Sequence, residues 1–121
     1  MNESQSLGQK GENEASLYLE KRGYRIRHRN WKSGKLELDI VAENSEYIVF
    51  VEVKTRTKEF MIQIRDVVPD QKQKSIIFAA EGYIKRNNLD KESRFDIITI
   101  VSKDNTFEIE HIEGAFYPTL R

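Results

Sequence analysis

The feature that constrains the fold most is a strand-like stretch, LELDIVAENSEYIVFVEVKTR, at residues 36–56. Its two halves alternate apolar and polar residues with the period of a β-strand, and the ENSE sequence between them is typical of a turn. We therefore predict two antiparallel strands, at residues 36–42 and 47–55. Each strand also carries charged residues at alternating positions, so their arrangement depends on which residues face each other.

The length of the turn decides whether the charges of the two strands meet. Opposed residues in an antiparallel pair point to the same face, so Asp39 can lie opposite Glu52 only across a connection with an even number of residues. A four-residue connection gives this parity, and it also sets Glu37 opposite Lys54. The charges then converge on one face of the sheet. The opposite face is expected to be an apolar layer of Leu38, Ile40, Val49, Val51 and Val53.

Opposed carboxylates on a sheet indicate a cation site. Like charges directly opposed cost a fraction of ~1 kcal/mol when solvated and more when buried, and a divalent cation reverses that cost. Oxygen ligands such as Asp39 and Glu52 suit Mg²⁺ or Mn²⁺. Lys54 would then stand beside the metal and its water, which suits metal-assisted phosphodiester hydrolysis. The alternative is a structural network in which Lys54 neutralises Glu37 or Glu52, and spacing alone does not distinguish the two.

The other elements complete an α/β pattern. Helical spacing predicts a helix over residues 7–22, in which Gly8 and Gly11 indicate close approach to another element. Glu12 lies on the inward stripe of that helix. A second helix is predicted from Pro69 to about residue 88. Further strands are predicted at residues 24–31, 95–101 and 107–112.

Residues 57–68 have no clear periodicity and lack the Gly and Pro of an ordinary loop. Their apolar side chains either pack on the core, cover a site or meet a second subunit, and the sequence does not choose among these.

Overall charge identifies no partner, because 20 basic residues balance 20 acidic residues. All charged residues within positions 21–35 are basic, however, and such a segment provides a positive surface that a polyanion can use. Arg25, Arg27 and Arg29 alternate along the first predicted strand and are expected to share one face. With Lys32 they are candidate contacts to nucleic-acid phosphates, the alternative being a solvated basic face. Trp31 either stacks on an unpaired base or closes the core.

Several kinds of site are excluded or unsupported by the sequence. The chain has no Cys, which excludes disulfides and thiolate metal sites. His28 and His111 lack the spacing of metal ligands, and Asp96 is expected to be structural, paired with Arg94 or a backbone donor. No apolar run approaches the roughly 18 residues of a membrane span, so no membrane contact and a cytoplasmic location are expected. A chain of 121 residues predicts a single domain over residues 1–121.

Two levels of resemblance to known proteins follow from these residues. Asp39, followed on the next strand by Glu52-Val53-Lys54, resembles the active-site motif of the PD-(D/E)XK nuclease superfamily, without the Pro before the Asp. In addition, blocks along nearly the whole chain resemble, in order, those of the bacterial YraN-like family. The blocks are GQKGENEASLYLEKRGYRIRHRNWK, ELDIVA, VFVEVKTR, KQKSIIFAAEGYI, RFDIITI and IEHIEGAF.

The resemblance implies an α/β fold with a restriction-endonuclease-like core, a mixed sheet of about five strands in the order α-β-β-β-α-β-β, flanked by helices. It implies a Mg²⁺- or Mn²⁺-dependent endonuclease acting on DNA, similar to Holliday junction resolvases, with a homodimer expected by analogy. The rival function is a non-catalytic nucleic-acid-binding or scaffold protein with the same fold.

The resemblance also assigns roles to residues of this chain. The catalytic set is Asp39, Glu52 and Lys54. The metal ligands would be Asp39, Glu52, Glu12 and the backbone carbonyl of Val53. The supporting residues would be Glu12, Glu37, Lys72 and Gln73. Two departures from the family pattern stand out, because Leu36 replaces a usual Gly before the Glu and residues 57–68 lack the usual Gly-containing loop.

Overall fold

The computed structural model describes residues 6–57 and 67–118. Most of the chain within these ranges forms helices and strands, in the predicted order. The elements are α1 (Leu7–Lys21), β1 (Arg25–Ser33), β2 (Leu36–Glu43), β3 (Tyr47–Arg56), α2 (Asp70–Arg86), β4 (Glu92–Lys103) and β5 (Thr106–Phe116).

The strands form one five-stranded sheet in the order β1-β2-β3-β4-β5. The first three strands make an antiparallel meander, β3 and β4 are parallel, and β4 and β5 are antiparallel. The parallel pair needs a crossover connection, which contains α2. This mixed sheet with flanking helices confirms the predicted α/β, restriction-endonuclease-like fold class. The single-domain assignment of residues 1–121 stays a prediction.

Each face of the sheet packs on a different helix. The apolar stripe of α1 covers one face, and the stripe of α2 covers the other. Each fully buried Leu, Ile or Val stabilises the fold by roughly 1.5–3 kcal/mol relative to exposure. The α1-side core includes Ala15, Leu19, Ile40, Val49, Val51, Ile98 and Ile100, and the α2-side core includes Val41, Ile48, Phe50, Ile76, Tyr83, Phe95 and Ile97.

The ends of α1 are defined by local interactions. Ser6 and Gln9 form a capping box, in which the Gln9 N–H donates to Ser6 Oγ at 3.1 Å. After the helix, Gly23 adopts a φ of 94°, which favours glycine. Gly11 makes the predicted close approach, because a Cβ at this position would lie 1.9 Å from Thr55 Oγ1 of β3. The same prediction for Gly8 is wrong, since Gly8 is exposed and faces no other element.

A bulge in β1 changes the predicted arrangement of its arginines. The pairing of β1 with β2 shifts between Ile26 and His28, which leaves Arg27 as an extra residue. Arg27 Nε then donates to Tyr83 Oη of α2 at 2.9 Å, whereas Arg29 lies on the other side of the sheet, beside a glutamate of α1. The prediction that the arginines share one face is therefore wrong, because an extra residue reverses the alternation.

Leu38 of β2 and the segment of residues 57–68 are the other two features on which the sequence made a prediction. The prediction that Leu38 and Ile40 share one apolar layer is wrong, because Leu38 belongs to the α2-side core and the alternation of β2 is interrupted between these two residues. Residues 58–66, most of the segment without clear periodicity, lie outside the described residues. Val67 and Val68, which follow, are buried in the α2-side core. No helix in the described part of the chain is long and apolar enough to cross a membrane.

Candidate active site

The predicted convergence of Asp39 and Glu52 is present in the structure. Glu43 lies opposite Ile48, which is the register that a four-residue connection requires, and the described pairing of β2 with β3 continues to Ile40. Beyond Ile40, the Asp39 carboxylate accepts a hydrogen bond from the Val53 N–H at 3.0 Å. The Asp39 side chain thus accepts a backbone hydrogen bond from β3 where the described β2–β3 pairing ends, and this bond holds Asp39 beside the strand that carries Glu52.

These carboxylates border an open cavity between the first turns of α2, the first half of β2 and the middle of β3. Its volume is about 310 Å³, which lies at the small end of the range for ligand sites. The described residues lining it comprise three carboxylates, two lysines, one hydroxyl and two apolar side chains. They are Glu37, Asp39, Glu52, Lys35, Lys72, Ser75, Leu36 and Ile76.

The two central carboxyl groups hold protons more tightly than usual. Burial, followed by the nearby Asp39 carboxylate, raises the pKa of Glu52 to about 7. Burial also raises the pKa of Asp39, and the bond from Val53 N–H offsets only part of that effect. The two groups are close enough to share a hydrogen bond. Carboxylates so placed cost free energy when both are ionised, unless a cation neutralises them.

Lys72 supplies one positive charge to this pair. Its Nζ lies 2.5 Å from Glu52 Oε2, with 51% of the lysine side chain exposed and 9% of the glutamate side chain. Lys72 lowers the pKa of Glu52, but burial and Asp39 raise it by more. Gln73, the neighbouring supporting residue, does not line the cavity, since its Nε2 donates to the Val68 carbonyl at 3.0 Å. Gln73 therefore secures the turn that precedes α2, which positions Lys72.

Glu12 approaches the site from α1. Burial, followed by the charge of Asp39, raises the pKa of Glu12. A hydrogen bond with Asn30 and an ion pair with Arg29, 3.7 Å from Arg29 Nη2 to Glu12 Oε1, hold the carboxylate in place. Asn30 has a φ of 54° within β1, a conformation that Asn tolerates better than most residues. Glu12 is not among the described residues that line the cavity.

Lys54 lies two residues beyond Glu52 on β3. It is half-buried and pairs with Thr99 of β4 in the sheet ladder. Lys72 and Lys35, and not Lys54, are the lysines among the described residues lining the cavity. The sequence prediction that Lys54 stands next to the carboxylates stays a prediction, and Lys72 is the lysine in direct contact with one of them.

The candidate nucleic-acid contacts of β1 differ in their ion pairs and in the exposed fraction of their side chains. Arg25 and Arg27 both form ion pairs with Glu43, and Lys91 contacts the same carboxylate. Of the two arginines, Arg25 keeps 68% of its side chain exposed and Arg27 only 18%. Lys32 is exposed near the end of β1. Arg25 and Lys32 are therefore accessible, as is Arg29, which keeps 34% of its side chain exposed on the other side of the sheet.

Trp31 has a structural position. Its ring packs against the α2-side core, with its centroid 5.2 Å from that of Tyr83, and Arg86 lies over it. Core closure, the second of the two predicted roles, is what the structure supports for this residue.

Asp96 lies in a separate buried network, as its predicted structural role requires. It is fully buried and accepts hydrogen bonds from Arg94, from His111 Nε2 and from the Gly114 N–H. These bonds lower the pKa of Asp96 even though burial acts in the opposite direction. His111 Nδ1 is also 3.2 Å from Tyr18 Oη, which joins β4 and β5 to α1.

Sequence reasoning missed two residues of the cavity. Lys35 lies in the turn between β1 and β2, two residues before Glu37. Ser75 lies three residues after Lys72 and therefore on the same face of α2. The helical spacing from Lys72 could have identified Ser75, whereas placing Lys35 required the geometry of the turn. Leu36, the departure from the family pattern, also lines the cavity.

Comparison with known proteins places this site in a family context. A family model described as "Uncharacterised protein family UPF0102" matches residues 11–100. A UPF0102 protein of Bacteroides thetaiotaomicron is 48% identical over 120 residues, which is 99% of each chain. One from Flavobacterium psychrophilum is 40% identical, covering 97% of this chain and 98% of the relative, and one from Nitratidesulfovibrio vulgaris is 41% identical, covering 92% and 84%. The resemblance stated above is thereby confirmed, and the chain belongs to the UPF0102 (YraN) family, a PD-(D/E)XK nuclease-like group.

Proposed function

We propose that this protein is a metal-dependent endonuclease that hydrolyses phosphodiester bonds in DNA, with branched or structured DNA as its substrate class. The observation that carries the proposal is the meeting of Asp39 and Glu52, from adjacent strands, at one open cavity. Burial and then the repulsion from Asp39 raise the pKa of Glu52, and a cation relieves that repulsion. Neither burial nor β-pairing requires two carboxylates there, so the arrangement favours a functional site.

The donor set fits a magnesium or manganese ion with few protein ligands. Asp39, Glu52 and the Val53 carbonyl would hold it, since Mg²⁺ commonly takes one or two carboxylates and keeps several waters. Within residues 6–57 and 67–118, no group of three or more His, Asp or Glu side chains is gathered as a metal site. Glu12 therefore does not form a three-carboxylate cluster with the other two, and we assign it to the surroundings of the site. When bound to these residues, such an ion would polarise the phosphate and lower the pKa of a water.

The chain's own residues perform the remaining tasks. Lys54 orients or deprotonates the attacking water. Lys35 and Lys72 bind the oxygens of the phosphate, and the Ser75 hydroxyl donates a further hydrogen bond. Gln73 keeps the start of α2 in position through the Val68 carbonyl.

The basic strand would hold the DNA backbone outside the cavity. Arg25 and Lys32 are exposed enough for this role, and Arg27 and Arg29 contribute positive potential while paired within the protein. Cutting both strands of a junction requires two sites, so we propose a homodimer as the active assembly.

A cleavage assay tests this function. The wild type, Asp39→Asn and Lys54→Ala are incubated with a four-way junction, a flapped duplex and a linear duplex, each with Mg²⁺ or Mn²⁺. We expect the wild type to cut at least one structured substrate and both variants to lose at least ~10²-fold in rate, the size of a general acid–base contribution. Equal cleavage by all three proteins would identify a contaminating nuclease and contradict the proposal.

The second candidate function is nucleic-acid binding without cleavage. It is favoured by the position of Lys54, which is not among the described residues lining the cavity. This function predicts salt-sensitive binding by the wild type, weakened in Arg25→Ala/Lys32→Ala, with no cutting under any metal condition. Arg25 and Lys32 suit this test better than Arg27, because Arg27 also bonds Tyr83 and its removal would disturb the fold.

A further inference from the structure

We propose that Lys72 is a phosphate-responsive counterion of Glu52. In the metal-free protein it neutralises Glu52, and an incoming DNA phosphate draws the ammonium away and frees the carboxylate for a divalent cation. This inference rests on the proposed function, because it assumes that Glu52 is a ligand of that cation. It adds that substrate and cation bind cooperatively, with Lys72 as the coupling residue.

The geometry of the Lys72–Glu52 ion pair implies competition with a cation. Lys72 Nζ lies 2.5 Å from Glu52 Oε2, which is direct hydrogen-bonding contact. An ammonium group and a divalent cation cannot both occupy this side of one carboxylate oxygen, since both are positive and each needs the same lone pairs. Lys72 therefore competes with the cation for Glu52.

The side chains of Lys72 and Glu52 differ in how freely they can move. Glu52 is carried by a central strand with 9% of its side chain exposed, whereas Lys72 lies in the first turn of α2 with 51% of its side chain exposed. A lysine has a flexible four-carbon stem and rotatable donors. The lysine is therefore the partner that moves, and its ammonium can turn from Glu52 into the cavity without displacing the backbone.

The charge around the cavity favours movement of Lys72 toward a phosphate. Glu37, Asp39 and Glu52 line it together with Lys35 and Lys72. A phosphate entering this space meets more carboxylates than lysines, so it binds well only when the ammonium groups turn toward it. Lys35 is placed to attract the phosphate without giving up a contact to Glu52. Lys72 gives up its contact when it turns, and this makes it the link between phosphate and cation.

Coupling of this kind is reciprocal, which makes it measurable from either ligand. Mn²⁺ binding is followed by electron paramagnetic resonance in the absence of DNA, for the wild type, Lys72→Gln, Lys72→Arg and Lys35→Gln. We expect Lys72→Gln to bind Mn²⁺ about three- to fivefold more tightly, the upper part of the range that a surface ion pair contributes, because Glu52 is largely buried. Lys72→Arg should remain within about twofold of the wild type, because it keeps a cation against Glu52.

Lys35→Gln is the matched control, because it removes one positive charge from the same cavity and leaves the Glu52 ion pair intact. Tighter Mn²⁺ binding by Lys72→Gln than by Lys35→Gln supports direct competition. Equal tightening in both variants would show a general field effect and overturn the proposal. Unchanged or weaker Mn²⁺ binding in Lys72→Gln would also overturn it, as would no Mn²⁺ binding by any of the four proteins. Thermal melts confirm that each variant is folded.

The second measurement repeats the titrations with a short four-way DNA junction, in a Lys54→Ala background to suppress cutting, and subtracts Mn²⁺ bound by DNA alone. The junction should tighten Mn²⁺ binding when Lys72 is present and should give less than half of that gain in Lys72→Gln. An equal gain with and without Lys72 would refute the coupling. These measurements need no cleavage, so they can fail while the endonuclease assay succeeds, and they can succeed while that assay fails.

Discussion

Glu52→Gln should stabilise the metal-free fold at pH 8. Burial and the Asp39 carboxylate raise the pKa of Glu52 from 4.5 to about 7 in the folded state. The folded protein therefore binds the Glu52 proton more tightly than the unfolded chain does. As the pH rises from about 4.5 through 7, unfolding releases that proton more and more favourably, so the fold loses stability across this interval.

The magnitude follows from the same values. One pKa unit corresponds to ~1.4 kcal/mol, so the interval from 4.5 to about 7 gives a loss of roughly 3 kcal/mol by pH 8. A glutamine amide has no charge and can donate to Asp39 as the protonated carboxyl does. The pKa of about 7 already contains the effect of the ion pair with the half-exposed Lys72, so the loss of that pair is not subtracted again. The gain at pH 8 is therefore roughly 3 kcal/mol, or an increase in Tm on the order of 10 °C.

Thermal and urea denaturation in EDTA, at pH 5 and pH 8, measure this effect. The wild type should lose stability between the two values, while Glu52→Gln should lose much less and exceed the wild type at pH 8. Glu46→Gln is the matched control, because Glu46 is an exposed residue of the turn between β2 and β3. A variant that is less stable than the wild type at pH 8, or that keeps the full pH dependence, would refute the electrostatic account of the site.

Three further predictions concern the scaffold. Gly11→Ala should destabilise the fold by ~1–3 kcal/mol in urea titrations, because its Cβ would overlap a threonine of β3, whereas Gly82→Ala, with open space around it, should stabilise the fold by roughly 0.5–1 kcal/mol. Asp96→Asn should cost about 3 kcal/mol in the same assay at pH 7, since it removes the buried charge that Arg94 contacts at 2.8 Å and leaves Arg94 with the exposed Glu113 at 3.7 Å. Lys91, then Arg27, lower the pKa of Glu43 to about 2, so the ionised Glu43 stabilises the fold at pH 5 and this stabilisation is lost as the carboxylate is protonated on the way to pH 2. Glu43→Gln should therefore show a smaller loss of Tm between pH 5 and pH 2 than the wild type.

The β2–β3 hairpin was the most predictable part of the fold. The alternation of apolar and polar residues identifies both strands. An even-numbered turn then places Asp39 beside Glu52, because a sheet's two-residue period leaves only two choices. The apolar stripe of α2 was equally readable, with Ile76, Ala80 and Tyr83 buried as its spacing indicates.

Other features depended on contacts that have no local signature. The bulge at Arg27 inserts one residue into β1, and nothing in the alternation of the strand marks it. Lys35 reaches the cavity through the turn before β2, and Lys72 meets Glu52 because α2 packs against the sheet. The sequence resemblance identified Lys72 as a supporting residue, but its partner is a long-range consequence of the fold.

The most direct test of the account is the position of a bound cation. Crystals of the protein soaked in Mn²⁺, free and with a four-way DNA junction, would be measured at the manganese absorption edge. The account predicts an anomalous peak bounded by the Asp39 and Glu52 carboxylates and the Val53 carbonyl in the DNA complex, with Lys72 Nζ turned from Glu52 toward a phosphate. Absence of that peak at saturating Mn²⁺ and bound DNA, with Lys72 still on Glu52, would contradict it.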